Sequence, residues 1–309
     1  MSEKVLREGE NVVVIEGIVT EVRIEEGSYK KDGKDVEKIQ GEIDIKVNDD
    51  VHTVSVYANK INKQGKESGL YKGIQTIKNE FKSIQTHGEE ADKVRIETGK
   101  VGLNEYVGQD LTIKAFPQIS ANFINRLKAG DVFEPKAKFT LEMCVANVAF
   151  EKKNDEETGR VILKGYVVGY EGKVFPFETV VEGDRAADYV SNNYDKGTTV
   201  TVYGEIVNNT TVTKKAVEVG FGAPQEQINR KTIREYKVIS GTEPKEEDNE
   251  KTYDPKLIKK GLNEREERHK EMIEKKKNAG NGNKSSKDSK NPFADDGKPI
   301  NINEDDLPF

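Results

Sequence analysis

Residues 38–60 read KIQGEIDIKVNDDVHTVSVYANK. Ile39, Gly41, Ile43, Ile45 and Val47 alternate with Gln40, Glu42, Asp44 and Lys46. That period of two gives a strand one face for a core and one for water. Asn48, Asp49 and Asp50 form a tight turn into the second run, so the stretch is a hairpin. Ahead of it stands NVVVIEGIVTEVRI (11–24), rich in β-branched residues, with Gly17 where a strongly coiled strand can bend. The polar loop EEGSYKKDGKDVE joins the two. Beyond the hairpin, SGLYKGIQTIKNEFKSI sets Leu70, Ile74, Ile77, Phe81 and Ile84 at helical spacing behind Ser68, a ready N-cap. KVRIETGKVGLNEYVG and DLTIKAF then return to strand. The order is three strands, one helix, two strands.

The second half repeats that order. KFTLEMCVANVAFEKK (138–153) is a long strand leading into the charged loop NDEETG. RVILKGYVVGY (160–170) and KVFPFETVV (173–181) make a hairpin across Glu171 and Gly172. RAADYVSNNY (185–194) is a short helix with Ala187, Val190 and Tyr194 on one face, closed by Lys196 and Gly197. TTVTVYGEIV (198–207) and TKKAVEVGF (213–221) supply two strands, with REYKVISG (234–241) an extra strand or return segment. Five strands with a helix between the third and fourth, seen twice, is the pattern of the OB-fold. SH3-like barrels and sandwiches share the strands but lack a helix at that place. The expectation is a mainly β protein of two OB-fold domains (five-stranded β-barrels) in tandem, over 1–128 and 129–242.

From about residue 243 Glu, Lys, Asn and Ser dominate. Asp254 and Pro255 could start a helix through 255–278, but its apolar residues are few and Gly261 interrupts it, so it is marginal alone. Residues 243–302 read as a flexible charged linker, and 303–309 as an acidic tip.

Composition narrows the chemistry. Residues 1–242 hold 35 Lys and Arg against 39 Asp and Glu, a balance of about −4, so an anionic partner needs a local cationic patch. The single cysteine, Cys144, excludes an internal disulfide and a Cys-rich zinc site, and sits in an alternating apolar run that suits a core thiol. His52, His87 and His269 are scattered, with no acidic or cysteine neighbours at metal-ligand spacing. GxxxxGK[ST], HExxH and GxSxG are all missing from the sequence, so no catalytic residues, cofactor or metal are expected. No N-terminal apolar run or stretch near 18 apolar residues occurs, which points to a soluble, cytoplasmic protein.

The chain ends NPFADDGKPININEDDLPF, residues 291–309. This closely resembles the C-terminal tail of bacterial single-stranded DNA-binding proteins, in which a disordered linker ends in acids and a Pro-Phe carboxylate terminus. The body is similar too, with Phe177 at the family's third-strand aromatic and Lys196-Gly197 ahead of the fourth strand. Gly17 and Tyr57 correspond in the first half. The chain departs from the family in its doubled fold, longer first helix and lack of tryptophan, which suggests a divergent, bacteriophage-encoded member. The resemblance implies coating of single-stranded DNA in replication, recombination and repair, with enzymes of those processes recruited by the tip. Glu304, Asp305 and Asp306 suit a basic pocket on a partner, while Leu307, Pro308 and Phe309 fill its apolar centre. Two chains would offer the four OB-folds of a tetrameric family member, so a homodimer is a natural form.

Binding unpaired strands without sequence preference takes aromatic faces for bases and cations along the backbone. In the first half the candidates are Tyr29, Lys30 and Lys31 in the loop, Tyr57 and Lys60 on the third strand, and Phe116, Phe123 and Arg126 around the fifth. In the second half they are Arg160, Lys164, Tyr166, Tyr170, Lys173, Phe175 and Phe177. For any one Phe the rival reading is core packing; for the loop it is plain solvation. Two other functions stay open: an adaptor whose OB-folds bind protein, and a recombination protein that anneals complementary strands.

Overall fold

The computed structural model describes residues 6–217, 225–246 and 248–281. In the first half, β1 (Asn11–Lys31), β2 (Lys34–Val47) and β3 (Asp50–Asn59) form a meander. Next come α1 (Gly69–Glu80), the single turn α2 (Ile84–His87), β4 (Lys93–Val107), β5 (Ile113–Ser120) and the short β6 (Asn125–Arg126). β1 pairs with both β2 and β4, β3 pairs in parallel with β5, and β5 with β4, so five strands close on themselves. The second half repeats the circuit with β7 (Lys136–Lys153), β8 (Glu156–Val168), β9 (Val174–Val181), α3 (Asp184–Asn193), β10 (Thr199–Val217) and β11 (Gln225–Gly241). There β7 pairs with β8 and β10, β9 in parallel with β11, and β11 with β10. Both circuits have the OB-fold arrangement, a five-stranded barrel with its helix between strands three and four.

The alternation read in residues 38–60 is what fills the first barrel. Ile39, Ile43, Ile45, Val54 and Val56 are buried, and their strand neighbours Gln40, Lys46, Thr53 and Tyr57 are exposed. Each fully buried Ile or Val contributes roughly 1.5–3 kcal/mol. Gly17 is required by a close approach: a Cβ there would lie 2.4 Å from the Lys46 carbonyl oxygen. Gly204 plays the same part in β10, with the Lys237 carbonyl oxygen 2.1 Å from an added Cβ. Helix α1 starts at the expected cap, Ser68 Oγ accepting from the Tyr71 amide at 3.4 Å. It stops at Glu80 rather than running to Ile84, because Ser83 caps the separate turn α2.

The barrels do not hang apart. Asn11–Glu16 of β1 pair antiparallel with Lys136–Leu141 of β7, so one eleven-stranded sheet runs through both. Glu16, fully buried, sits at this seam. It accepts from Arg95 Nε at 2.8 Å and from the Glu134 amide at 2.7 Å, and those bonds, Arg95 first, hold its carboxyl below the usual range.

Two expectations are corrected. The strand placed at 213–221 is the outer half of β10, as far as the described residues go, and β11 closes the second barrel. The supposed flexible linker is, over its described part, packed structure. Tyr253 and Ile258 are buried with Cys144, Val168 and Val174, and α4 (Pro255–Asn281) runs on from there. A helix marginal by itself gains from tertiary contact what its sequence lacks. Gly261, which looked like an interruption, is the close-packing point: a Cβ there would meet Val174 Cγ2 at 2.4 Å. Further along, Arg265 and His269 both reach Glu105 of β4, the latter at 3.0 Å. Lys276 Nζ donates to the carbonyls of Val107 and Gly108 at 2.6 and 2.9 Å. Helix α4 thus ties the β8–β9 hairpin of one barrel to the β4–β5 hairpin of the other.

Candidate nucleic-acid interface

The outward residues of β2, β3 and β5 floor a groove of about 720 Å³, lined by Arg23, Gln40, Ser55, Tyr57, Gln118 and Asn122 among others. Tyr57 stands opposite Gln40 in the ladder and is 48% exposed. Its hydroxyl donates to Asn59 Oδ1 at 2.8 Å, and partial burial followed by a bond with Tyr29 pushes its pKa up. Gln118 Nε2 donates to Ser55 Oγ at 2.5 Å, holding β5 to β3 across the floor.

This groove shares Glu42, Ser55 and Gln118 with a second of about 640 Å³, whose far wall is Ile162, Glu178, Asn208 and Arg234 of the other barrel. The outer faces of both barrels therefore look onto one continuous channel. Asn208 pins its end, its amide donating to Asp50 Oδ2 at 3.1 Å. His52, buried in the wall, has an Nε2 with no hydrogen-bond partner among the described residues, and desolvation pushes its imidazole pKa down.

The sequence-derived candidates divide by environment. Tyr29, Lys30 and Lys31 lie near the tip of the β1–β2 hairpin, with Lys38 Nζ 5.8 Å from the Tyr29 ring. Lys30 and Lys31 are exposed and make no ion pair among the described residues. Phe116 in the channel is 54% exposed. Phe123 is 59% exposed beside the channel residue Asn122. Arg126 is drawn away toward the helices, 5.3 Å over the Phe81 ring and 3.4 Å from Glu80. Lys60 is paired with Glu37.

The second barrel's set fares differently. Phe177 is only 4% exposed and packs edge-on against Tyr236 at 4.7 Å, so it is core and not a stacking surface. The register explains it: Phe175 and Phe177 stand opposite Val167 and Gly165, on the inward side, while Lys164 and Tyr166 oppose Glu178 and Pro176 on the outward side. Phe175 is half-buried against the same core, and Tyr166 is half-buried against the α4 cluster. Tyr170 is exposed at the β8–β9 turn. The cations already have partners: Lys164 with Glu178 at 3.0 Å, Lys173 with Glu171 at 3.4 Å, and Arg160 with Glu235 at 2.7 Å.

Two channel residues, Arg23 and Arg234, and Tyr106 next to the channel residue Phe116 escaped the sequence reading. Arg23 is bound by Asp44, Glu42 and Glu21, a network that raises its already high pKa. Arg234 donates through Nε to Asn208 Oδ1 at 3.1 Å. Tyr106 is 47% exposed and stacks on Phe116, ring centroids 6.2 Å apart at 23°. Its signal was there in the alternation of Asn104, Glu105 and Tyr106, but no spacing rule joins Tyr106 to Phe116. Glu304, Asp305, Asp306, Leu307, Pro308 and Phe309 lie outside the described residues.

Among solved structures, a deletion mutant of the single-stranded DNA binding protein from Thermus aquaticus is similar. The likeness has a TM-score of 0.44 and 12% identity, over 79% of this chain and 98% of that one, too slight to carry an argument. No curated protein matches the chain. Residues 10–279 match the family described as YorF, and the chain belongs to that family.

Proposed function

We propose that this protein binds single-stranded DNA without sequence preference, in the channel that the two barrels share. The observation that carries the reading is the open aromatic face of Tyr57 on the β2–β3 surface, the side from which OB-folds take up oligonucleotides. Around it lie the amides and hydroxyls of Gln40, Ser55, Gln118 and Asn122, and the β1–β2 hairpin supplies Lys30 and Lys31 for the backbone. Bases stack through π-faces that all four share, which makes such binding indifferent to sequence. Because Arg23 is held by carboxylates and Arg234 by Asn208, binding rests on stacking more than on bulk charge.

The biological setting is part of the same proposal. The barrels act as domains over 1–128 and 129–242, coat strands exposed in replication or recombination in a bacterial host's cytoplasm, and the tip at 303–309 brings in partner enzymes. Each such contact is short and weak, and several on one coated strand act together. The test is an oligo-dT titration of the whole chain and of a chain lacking residues 303–309. Both should bind, and only the whole chain should retain a replication or repair enzyme on the coated strand. Failure of the whole chain to bind at micromolar concentration overturns the proposal.

A further inference from the structure

The Tyr106–Phe116 pair stands apart from Tyr57, on the β4–β5 hairpin, with Phe116 in the part of the channel that faces the other barrel and Tyr106 beside it. Two aromatic rings stacked on each other and each about half exposed are unusual on a surface that is otherwise Asn104, Lys114 and Gln118. About half of each ring is open to solvent, which leaves surface for another flat ring. The strands that bear them are directly paired: Phe116 opposes Asn104, and Tyr106 opposes Lys114. Lys114 is itself tethered to Asp110 at 3.0 Å.

The hairpin is also braced from behind. Glu105, between Asn104 and Tyr106, is the residue that Arg265 and His269 of α4 grip. Those bonds bring its carboxyl pKa down although burial alone would raise it. Lys276 holds the backbone carbonyls of Val107 and Gly108 at the start of the turn. A hairpin whose tip carries exposed rings is thus fixed by a helix from the far end of the chain. That is costly order for a surface with no ligand.

Resting on the single-strand reading above, we infer that Tyr106 and Phe116 form a second base-stacking station, and that α4 is its positioning element through Glu105. A strand entering at Tyr57 continues past Ser55 and Gln118 to this pair. Nucleobases fit better than a protein side chain, because the rings present flat faces beside amides and not a closed apolar pocket.

The chain contains no tryptophan, so Phe116→Trp and Tyr57→Trp each give a single indole that can be excited apart from the tyrosines. Both are titrated with oligo-dT while anisotropy of the labelled oligonucleotide reports binding. Quenching at both positions, in step with binding, is the expected result. Tyr106→Ala in the otherwise unchanged chain should weaken binding about 5- to 150-fold, the range for one lost base stack. Glu105→Gln should diminish quenching of the Phe116→Trp probe and leave that of Tyr57→Trp unchanged, which a general loss of stability would not do. Binding with quenching at Tyr57→Trp and none at Phe116→Trp overturns the second station alone. Equal effects of Glu105→Gln on the two probes overturn the positioning role. Absence of binding by the wild-type chain overturns both this inference and the reading beneath it.

Discussion

The guanidinium of Arg7 grips both carboxylate oxygens of Glu142, at 2.7 and 2.6 Å, and so ties the N-terminal segment to the start of the second barrel. Glu142 is buried and also accepts from Lys245 and from the Glu10 amide. Burial alone would raise its pKa, but these bonds outweigh it and bring it from 4.5 to about 2. A carboxyl depressed in the folded state stabilises fully above its unfolded pKa, and the contribution fades as pH falls from 4.5 toward 2. The size is on the order of 3 kcal/mol. Glu142→Gln should therefore lower the melting temperature at pH 7, with the gap to wild type closing as pH nears 2. Calorimetry across that range checks it, and a pH-independent gap would contradict it.

Phe177, sealed between Phe175 and Tyr236, should behave as a core residue. Phe177→Ala is expected to cost about 3–5 kcal/mol of stability. Below its melting point the variant should bind oligo-dT with wild-type affinity. Denaturant unfolding and anisotropy separate the two effects; lost affinity in a fully folded variant would restore Phe177 to the interface.

Cys144 lies under the start of α4, and its burial pushes the thiol up to about 11, which makes it unreactive. Ile258→Ala loosens that cover by roughly 2–5 kcal/mol. Because local opening governs access, labelling by a thiol reagent should speed up about tenfold or more. An unchanged rate would mean that α4 does not shield the cluster.

The divide between what the sequence disclosed and what it hid follows from the physics of each element. The hairpin at 38–60 was readable because one face is wet and one dry, and alternation records that directly. Phe177 was misread because alternation marks two faces without saying which is inside; its register opposite Gly165 decided that. Helix α4 was underestimated because its order comes from Val174, Cys144 and Glu105, all distant in sequence. The channel itself could not be seen, since it exists only where β3 and β5 face β8 and β11. Ion pairs such as Lys164–Glu178 and Arg160–Glu235 were equally hidden, and they turn supposed free cations into neutral pairs.

That neutralisation has a consequence for salt. With Lys30 and Lys31 as the two hairpin cations proposed to meet the backbone, binding should release few counterions. A slope of log K against log salt near −1.4 is expected, from about −0.7 per contact on a single strand. Lys30→Gln with Lys31→Gln should flatten it toward zero. A slope steeper than about −4 would mean that the internal ion pairs open on binding, contrary to the account.

The most direct test is anisotropy of labelled oligo-dT titrated with wild type and with Tyr57→Ala. Tyr57 is half exposed and its hydroxyl bonds the surface side chains of Asn59 and Tyr29, so the substitution should leave the fold intact. The account expects micromolar or tighter binding by wild type, weakened about 5- to 150-fold in Tyr57→Ala. Equal affinity in the two chains would contradict it.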